Sequence, residues 1–159
     1  MIEKVVAGIQ RGEVVILPLE HSYVYACDAF SFAAVNRLHQ LRNDPPGIAA
    51  QVLIGKARTL SGLAQGLTAG VSKLAEEFWP GLLTFNLPQN QSLSWDLGDE
   101  QRLGKVNVRV PNRKFLNRIL ESTGPLAAAS VSLIGKPVVK DLTKLPIYES
   151  DVGAIFDEG

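Results

Sequence analysis

Arg109 is a charged residue inside a run of valines, which makes it the first candidate for binding chemistry. Residues 106–111 read Val-Asn-Val-Arg-Val-Pro, and this alternation predicts a strand with one buried face. A guanidinium held near the end of a strand can grip a phosphate or a carboxylate through two parallel hydrogen bonds. A solvent-facing strand arginine without any ligand is the alternative, and the pattern fits it equally well.

Hydroxyl side chains near predicted strand ends form a second group of candidates. Ser130 and Ser132 follow the small-residue strand predicted at 126–129, so their hydroxyls and backbone could approach a ligand closely. Thr84 follows a Trp-Pro-Gly corner, and Arg42 lies between a predicted helix and a proline-rich loop. Ordinary turn serines, and side chains that only cap or face solvent, remain the alternatives.

A third group is a cluster of polar side chains that follows the first predicted strand, 14–17. We expect a binding loop there, because such loops follow buried strands in α/β proteins. A structural loop whose polar groups bond to each other is an equal alternative. The cluster comprises Glu20, His21, Ser22, Tyr23 and Tyr25.

Helical and strand patterns alternate along the chain and must position these candidates. Helices are predicted at 2–9, 32–41, 71–78 and 115–120, and strands at 14–17, 51–54, 83–87, 106–110, 126–129 and 151–156. Ser31 is the predicted N-cap of the second helix, and residues 88–104 are predicted to be a solvent loop with a short turn at Trp95. Some connections are too short for helical crossovers, so the pattern predicts an α/β domain with a mixed parallel and antiparallel sheet.

Composition narrows the class of protein. A chain of 159 residues predicts one domain over 1–159, and its sixteen acidic and sixteen basic residues give a net charge of zero, which disfavours a dedicated nucleic-acid binder. A single cysteine, Cys27, excludes an internal disulfide and fits a reducing cytoplasm. We expect neither export nor a membrane span. No phosphate-binding glycine motif is present, and His21 and His39 are too far apart for a local metal motif, so we expect no metal held by protein ligands alone.

Four segments, taken in order, resemble the YrdC-like family of threonylcarbamoyl-AMP synthases. The family pattern Pro-Thr-Asp/Glu-Thr-x-Tyr-Gly-Leu-x-Cys-Asp-Ala is similar to residues 18–29, and Trp-Pro-Gly-Pro-Leu-Thr is similar to 79–84, with Leu82 in place of a proline. Val-x-Val-Arg-Val-Pro is intact at 106–111, and Gly-Pro-Leu-Ala-Ala-Thr-Ser-Ala-Asn is similar to 124–132. The order of the segments is more specific than any one of them.

The resemblance implies a twisted mixed sheet flanked by helices around a concave, positively lined cavity. It implies the joining of L-threonine, bicarbonate and ATP into threonylcarbamoyl-adenylate, with release of pyrophosphate, for modification of tRNA by partner proteins. It implies ATP as substrate with magnesium on its phosphates, and at most a weak RNA contact. It assigns ATP binding to Arg42, Arg109, Ser130 and Ser132 and threonine binding to Glu20, His21, Tyr23 and Thr84, and leaves the catalytic residue unassigned.

The sequence departs from the family pattern where the substrates would bind. The Lys-x-Arg signature falls on Arg42-Asn43-Asp44, so that Asp44 reverses a charge beside the expected polyphosphate. The Ser-x-Asn signature has become Ser-Val-Ser at 130–132, and the two threonines near the first strand have become Leu19 and His21. Family chains continue beyond the segment resembling 151–159 into a part of the nucleotide site, and we expect this sequence to lack that part.

Two hypotheses about function therefore remain. In the first, the protein is a synthase that retains Arg42 in place of lysine, with binding supplemented by a partner. In the second, it is a catalytically degenerate paralogue that binds a small ligand, a protein or RNA in the same cavity. The first is favoured, because the corner, strand and serine motifs retain their ligand-facing residues.

Overall fold

A mixed sheet forms the centre of the protein, whose computed structural model describes residues 1–157. Its seven strands lie in the order β4-β5-β3-β6-β2-β1-β7. The β3–β5 and β1–β7 pairs are parallel, and the other four are antiparallel. This arrangement confirms the predicted mixed sheet. The strands are β1 (Val15–Pro18), β2 (Tyr23–Asp28), β3 (Gln51–Leu53), β4 (Phe85–Pro88), β5 (Lys105–Arg109), β6 (Leu126–Ser130) and β7 (Ala154–Ile155).

Five α-helices and three 3₁₀ turns surround the sheet in the described part of the chain. The helices are α1 (Ile2–Gln10), α2 (Phe32–Arg42), α3 (Leu60–Leu63), α4 (Ala69–Phe78) and α5 (Lys114–Thr123), and the 3₁₀ turns are Ala57–Thr59, Leu142–Lys144 and Glu149–Asp151. Ser31 caps α2 as predicted, because its hydroxyl accepts a hydrogen bond from the Ala34 amide. None of the described helices combines the length and the apolar character that crossing a lipid bilayer requires.

Successive side chains along each strand point to opposite faces of the sheet, so the core has one part on each face. Val15 and Leu17 of β1 pack with apolar side chains of α1 and α5, whereas Ile16 packs on the opposite face with α2. On the α1/α5 face, the rings of Phe115 and Phe156 stack with centroids 4.5 Å apart. A cavity also opens on the face that carries α1 and α5.

The prediction of a binding loop over residues 20–25 is wrong for its second half. Tyr23–Asp28 forms β2, which pairs with both β1 and β6 near the middle of the sheet. The polar side chains at 20–22 favoured a loop and gave no sign of the strand that follows. Tyr25 and Cys27 of this strand are completely buried. Burial raises the pKa of Cys27 to about 12, so this thiol stays protonated and unreactive at neutral pH.

Three other sequence predictions need correction. Residues 88–104 are irregular, but Trp95 and Leu97 from this segment are only 2% exposed, since they pack in the core beside α2. The short helix α3 was not predicted. The last strand, expected over 151–156, is only Ala154–Ile155, because Glu149–Asp151 forms a 3₁₀ turn before it.

The corner after α4 is held by Trp79. Its indole Nε1 donates a 2.7 Å hydrogen bond to the Leu83 carbonyl, and its ring meets Phe85 edge-on with centroids 4.9 Å apart. The apolar side chains of α4 are only partly buried, since Leu74 and Phe78 are 43% and 50% exposed. Trp79, rather than this helix face, therefore anchors the corner in the core.

We predict that Trp79→Ala destabilises the protein by about 3–5 kcal/mol, because it leaves a large cavity and removes the indole hydrogen bond. The neighbouring Phe78→Ala is the matched control, and we expect it to cost less than about 1 kcal/mol because that ring is half exposed. Urea denaturation of both variants measures the difference. Equal losses would show that the corner is not anchored by Trp79.

Candidate functional site

A cavity opens on the α1/α5 face of the sheet. Two adjoining hollows of about 380 and 280 Å³ share their floor, so they form one concave surface over β3 and β6. The shared floor consists of Gln51, Thr84, Ala128, Ala129 and Ser130. The alanine and serine side chains of this floor are small, so they leave the space above β6 open. The structure thus contains the concave surface that the sequence predicted.

Arg109 forms one end of this cavity. Its guanidinium lies 3.0 Å from Glu20 Oε2, and the two side chains are only 7% and 15% exposed. The same Nη1 donates to the carbonyl of Gly81, at 3.3 Å, from the Trp-Pro-Gly corner. Arg109 therefore lies at a strand end, as predicted, but a carboxylate already faces it.

Gly81 allows the corner to approach Arg109. A Cβ at this position would lie 2.5 Å from the Phe78 carbonyl oxygen, closer than real Cβ atoms come to backbone. The Gly81 amide also donates a 2.8 Å hydrogen bond to the carbonyl of Val110. Glycine is therefore required here by a close backbone contact.

The Glu20 carboxylate joins the segment after β1 to the end of β5 and the turn that follows it. Its Oε1 accepts a 2.8 Å hydrogen bond from the Asn112 amide, while Oε2 pairs with Arg109. Burial acts to raise the pKa of Glu20, but the hydrogen bonds from the Asn112 amide and its own amide, together with the Arg109 charge, lower that pKa overall. Glu20 is therefore ionised at neutral pH and orients Arg109.

Arg42 forms the opposite end of the cavity. Its Nε donates to Asp44 Oδ2 at 2.9 Å, and its Nη1 donates to the Ser130 carbonyl. The Asp44 side chain is only 1% exposed, and its Oδ2 also lies 2.8 Å from His39 Nδ1. Asp44, which reverses a charge of the family pattern, therefore belongs to a buried cluster with Arg42 and His39.

Six of the eight predicted site residues line the cavity: Glu20, His21, Arg42, Thr84, Arg109 and Ser130. Tyr23 and Ser132 do not line either hollow. The Tyr23 hydroxyl donates a 2.8 Å hydrogen bond to Asp157, and Ser132 is 8% exposed with its amide bonded to the Ser130 carbonyl. Both residues support the strand ends next to the cavity.

Three polar cavity residues were missed by the sequence analysis: His39, Gln51 and Asn107. The Gln51 amide donates a 2.9 Å hydrogen bond to the Thr84 hydroxyl, and Asn107 accepts one of 2.6 Å from Asn86. Gln51 and Asn107 are polar residues that alternate with buried residues in β3 and β5. That alternation is the signal that could have identified them.

Comparison with known proteins identifies the family of this fold and cavity. The model of the Sua5/YciO/YrdC family, described as telomere recombination, matches residues 7–159. The chain belongs to the Sua5/YciO/YrdC family. A curated relative from Mycobacterium tuberculosis, provisionally named a threonylcarbamoyl-AMP synthase, is 33% identical over 151 residues, which cover 95% of this chain and 69% of the relative. The threonylcarbamoyl-AMP synthase of Mus musculus is 29% identical over 80% of this chain and 45% of its own length.

Solved structures of the Sua5/YciO/YrdC family share the fold. The crystal structure of P. abyssi Sua5 complexed with L-threonine superposes with a TM-score of 0.90 at 26% identity, covering 99% of this chain and 46% of that one. The chain therefore spans about half the length of that Sua5 protein. E. coli YciO, at 24% identity, has a TM-score of 0.83 and supports the fold alone.

We predict that Glu20→Gln destabilises the protein by about 3 kcal/mol at pH 7, because Arg109 loses its buried partner. The folded-state pKa of Glu20 lies below its ordinary value of 4.5, so its contribution is full above that value and is lost as the pH falls through the folded-state pKa. The stability difference between wild type and variant should therefore shrink between pH 7 and pH 3. Urea denaturation across this range measures it.

Glu121→Gln is the control for this titration. Its carboxylate is 57% exposed and 3.8 Å from Lys56, so we expect little loss of stability at any of these pH values. A Glu20→Gln difference that stays constant with pH would contradict the assignment of an ionised, stabilising Glu20.

Proposed function

We propose that this Sua5/YciO/YrdC protein forms threonylcarbamoyl-adenylate from L-threonine, bicarbonate and ATP, for the threonylcarbamoyl modification of tRNA by partner proteins. The observation that carries the proposal is the shared cavity, which joins Arg109 at one end to Arg42 at the other across a floor of small side chains. Relatives named as synthases, and the Sua5 structure complexed with L-threonine, support it.

The Arg109 end suits an amino acid, although the resemblance assigns Arg109 to ATP binding. A guanidinium recognises a carboxylate, and Glu20 holds that guanidinium at the cavity wall while placing a negative charge near a bound ammonium group. Thr84, His21 and Gln51 supply hydrogen-bonding groups that could recognise a side-chain hydroxyl. We therefore assign threonine to this end.

The Arg42 end is assigned to the phosphates of ATP, with Ser130 beside it. Among residues 1–157, no group of three or more His, Cys, Asp or Glu side chains could hold a metal ion. In the proposal, Mg²⁺ enters on the phosphates, where it neutralises negative charge. The residues in the cavity bind and orient the substrates.

The proposed reaction has two bond-forming stages. The threonine nitrogen forms a bond to the carbon of bicarbonate, with loss of water, and gives a carbamate. A carbamate oxygen then bonds to the α-phosphorus of ATP, and the bond from that phosphorus to pyrophosphate breaks. Holding threonine and ATP over one floor makes the second step effectively intramolecular.

A second candidate function is ligand binding without this chemistry. It is favoured by one observation, the Asp44 carboxylate 2.9 Å from Arg42, which opposes the positive charge that a polyphosphate needs. Incubation of the purified protein with ATP, threonine, bicarbonate and Mg²⁺ separates the two. Pyrophosphate and threonylcarbamoyl-adenylate in equal amounts support the synthase, whereas threonine binding without product supports the second candidate.

We predict that Arg109→Lys weakens threonine binding by about tenfold or more, because lysine keeps the charge opposite Glu20 but not the planar fork that grips a carboxylate. Isothermal titration calorimetry with L-threonine measures the affinity. Arg118→Lys, an exposed position on α5, is the matched control and should bind threonine as the wild type does. Unchanged binding by Arg109→Lys would remove Arg109 from the threonine site.

A further inference from the structure

Asp44 uses only one of its two carboxylate oxygens in contacts with the protein. Its Oδ2 lies 2.9 Å from Arg42 Nε and 2.8 Å from His39 Nδ1. Its Oδ1 has no hydrogen-bond partner among residues 1–157, although only 1% of the side chain is exposed. Burying a carboxylate oxygen without a partner is costly. The unpartnered oxygen therefore indicates that Asp44 meets a ligand.

Contacts of the other oxygen fix this carboxylate in the wall of the cavity. Asp44 lines the hollow at the Arg42 end together with Ser130. Arg42, which donates to Asp44 Oδ2, also donates to the Ser130 carbonyl, so the carboxylate is tied to the end of β6. An ionised carboxylate only accepts hydrogen bonds. The partner of Oδ1 must therefore be either a hydrogen-bond donor or a cation.

A phosphate chain, the occupant proposed for this hollow, offers only acceptor oxygens and negative charge. It cannot pair with Asp44 Oδ1 directly, and the carboxylate cancels the charge of Arg42 beside it. A divalent cation between the carboxylate and the phosphates removes this conflict, because both then face positive charge. Mg²⁺ is typically bound by one or two carboxylates together with substrate phosphates. Asp44 Oδ1 fits that role.

We propose that Asp44 Oδ1 is a ligand of the Mg²⁺ that accompanies the phosphate chain at the Arg42 end of the cavity. The family pattern has an arginine at this position, whereas the carboxylate of this protein meets the phosphates through the metal ion. The inference rests on the proposed function only in placing phosphates at this end. Asp44 then assists the polyphosphate binding that it otherwise opposes.

The ion is shared between the protein and the phosphates. Within residues 1–157, no group of three or more His, Cys, Asp or Glu side chains could hold a metal ion without them. A single carboxylate holds Mg²⁺ weakly, because this ion gives up its water ligands reluctantly. Mg²⁺ and the phosphate chain should therefore each raise the affinity of the protein for the other.

Asp44 also lines a separate hollow of about 410 Å³, together with Asp96 and Glu100. The carboxylates of those two residues already have partners. Asp96 Oδ1 accepts hydrogen bonds from the amides of Gly98 and Glu100, and Glu100 lies 2.6 Å from Arg102. The hollow at the Arg42 end is favoured for the metal ion, because a phosphate chain bound there also meets Arg42.

The first test compares the wild type with Asp44→Asn by calorimetric titration with inorganic tripolyphosphate at neutral pH. In EDTA, we expect Asp44→Asn to bind about tenfold more tightly, because it lacks the negative charge beside the chain. With excess Mg²⁺, the wild type should instead bind about tenfold more tightly, because an amide oxygen is a weaker Mg²⁺ ligand than a carboxylate. A wild type that does not bind more tightly than Asp44→Asn in Mg²⁺ overturns the proposal.

Glu100→Gln is the matched control for this titration. It removes a carboxylate from the separate hollow, where the Glu100 side chain is 64% exposed. We expect it to bind tripolyphosphate as the wild type does, both in EDTA and in Mg²⁺. If Glu100→Gln loses the effect of Mg²⁺, the ion belongs to the separate hollow and the proposal is overturned.

The second test uses the wild-type protein and does not depend on the folding of a variant. Mn²⁺ replaces Mg²⁺ in the presence of tripolyphosphate, and its unpaired electrons broaden the NMR signals of the nearest amides. We expect the strongest broadening at Asp44 and Ser130, which line the hollow at the Arg42 end. Broadening that is absent, or that is strongest at Gly98 and Glu100, would contradict the assignment of Asp44 Oδ1 to this ion.

These measurements are independent of the synthase reaction. If no threonylcarbamoyl-adenylate forms but Mg²⁺ reverses the order of the tripolyphosphate affinities as described, the proposed function fails and this inference stands. If product forms while Asp44→Asn binds tripolyphosphate more tightly in Mg²⁺ as well, the inference fails and the proposed function stands.

Discussion

The ion pair between Arg109 and Glu20 is the interaction on which the shape of the cavity depends. A guanidinium that is 7% exposed is costly to bury unless a charged partner and further acceptors surround it. Glu20 and the Gly81 carbonyl provide these partners. Because Glu20 also binds the Asn112 amide and Arg109 also binds the Gly81 carbonyl, this ion pair ties together the segment after β1, the corner after α4 and the turn after β5.

The two ends of the cavity share an electrostatic design. Each presents an arginine, and each arginine is paired with a carboxylate, Glu20 at one end and Asp44 at the other. Neither arginine is therefore an unopposed cation of the kind that a positively lined site would have. What distinguishes the ends is His39, whose Nδ1 lies 2.8 Å from the carboxylate that faces Arg42.

The sequence predicted most of the helices and strands, because their apolar residues recur at the period of one element. It succeeded for α5, where four buried residues follow helical spacing, and for β6, where small apolar residues run to Ser130. It failed at β2, because polar residues at 20–22 suggested that the loop continued. It also treated Trp95 and Leu97 as solvent-facing, since burial of an irregular segment depends on distant partners rather than on periodicity.

By itself, the sequence determined the mixed α/β architecture, the family and the residues from which a site could be built, because periodicity and ordered motifs are local properties. Only the tertiary structure decided which charges meet. Glu20 and Arg109 are 89 residues apart, and His39 reaches the carbonyl of Leu97 across 58 residues. The charge state of a cavity depends on such contacts, and spacing along the chain does not encode them.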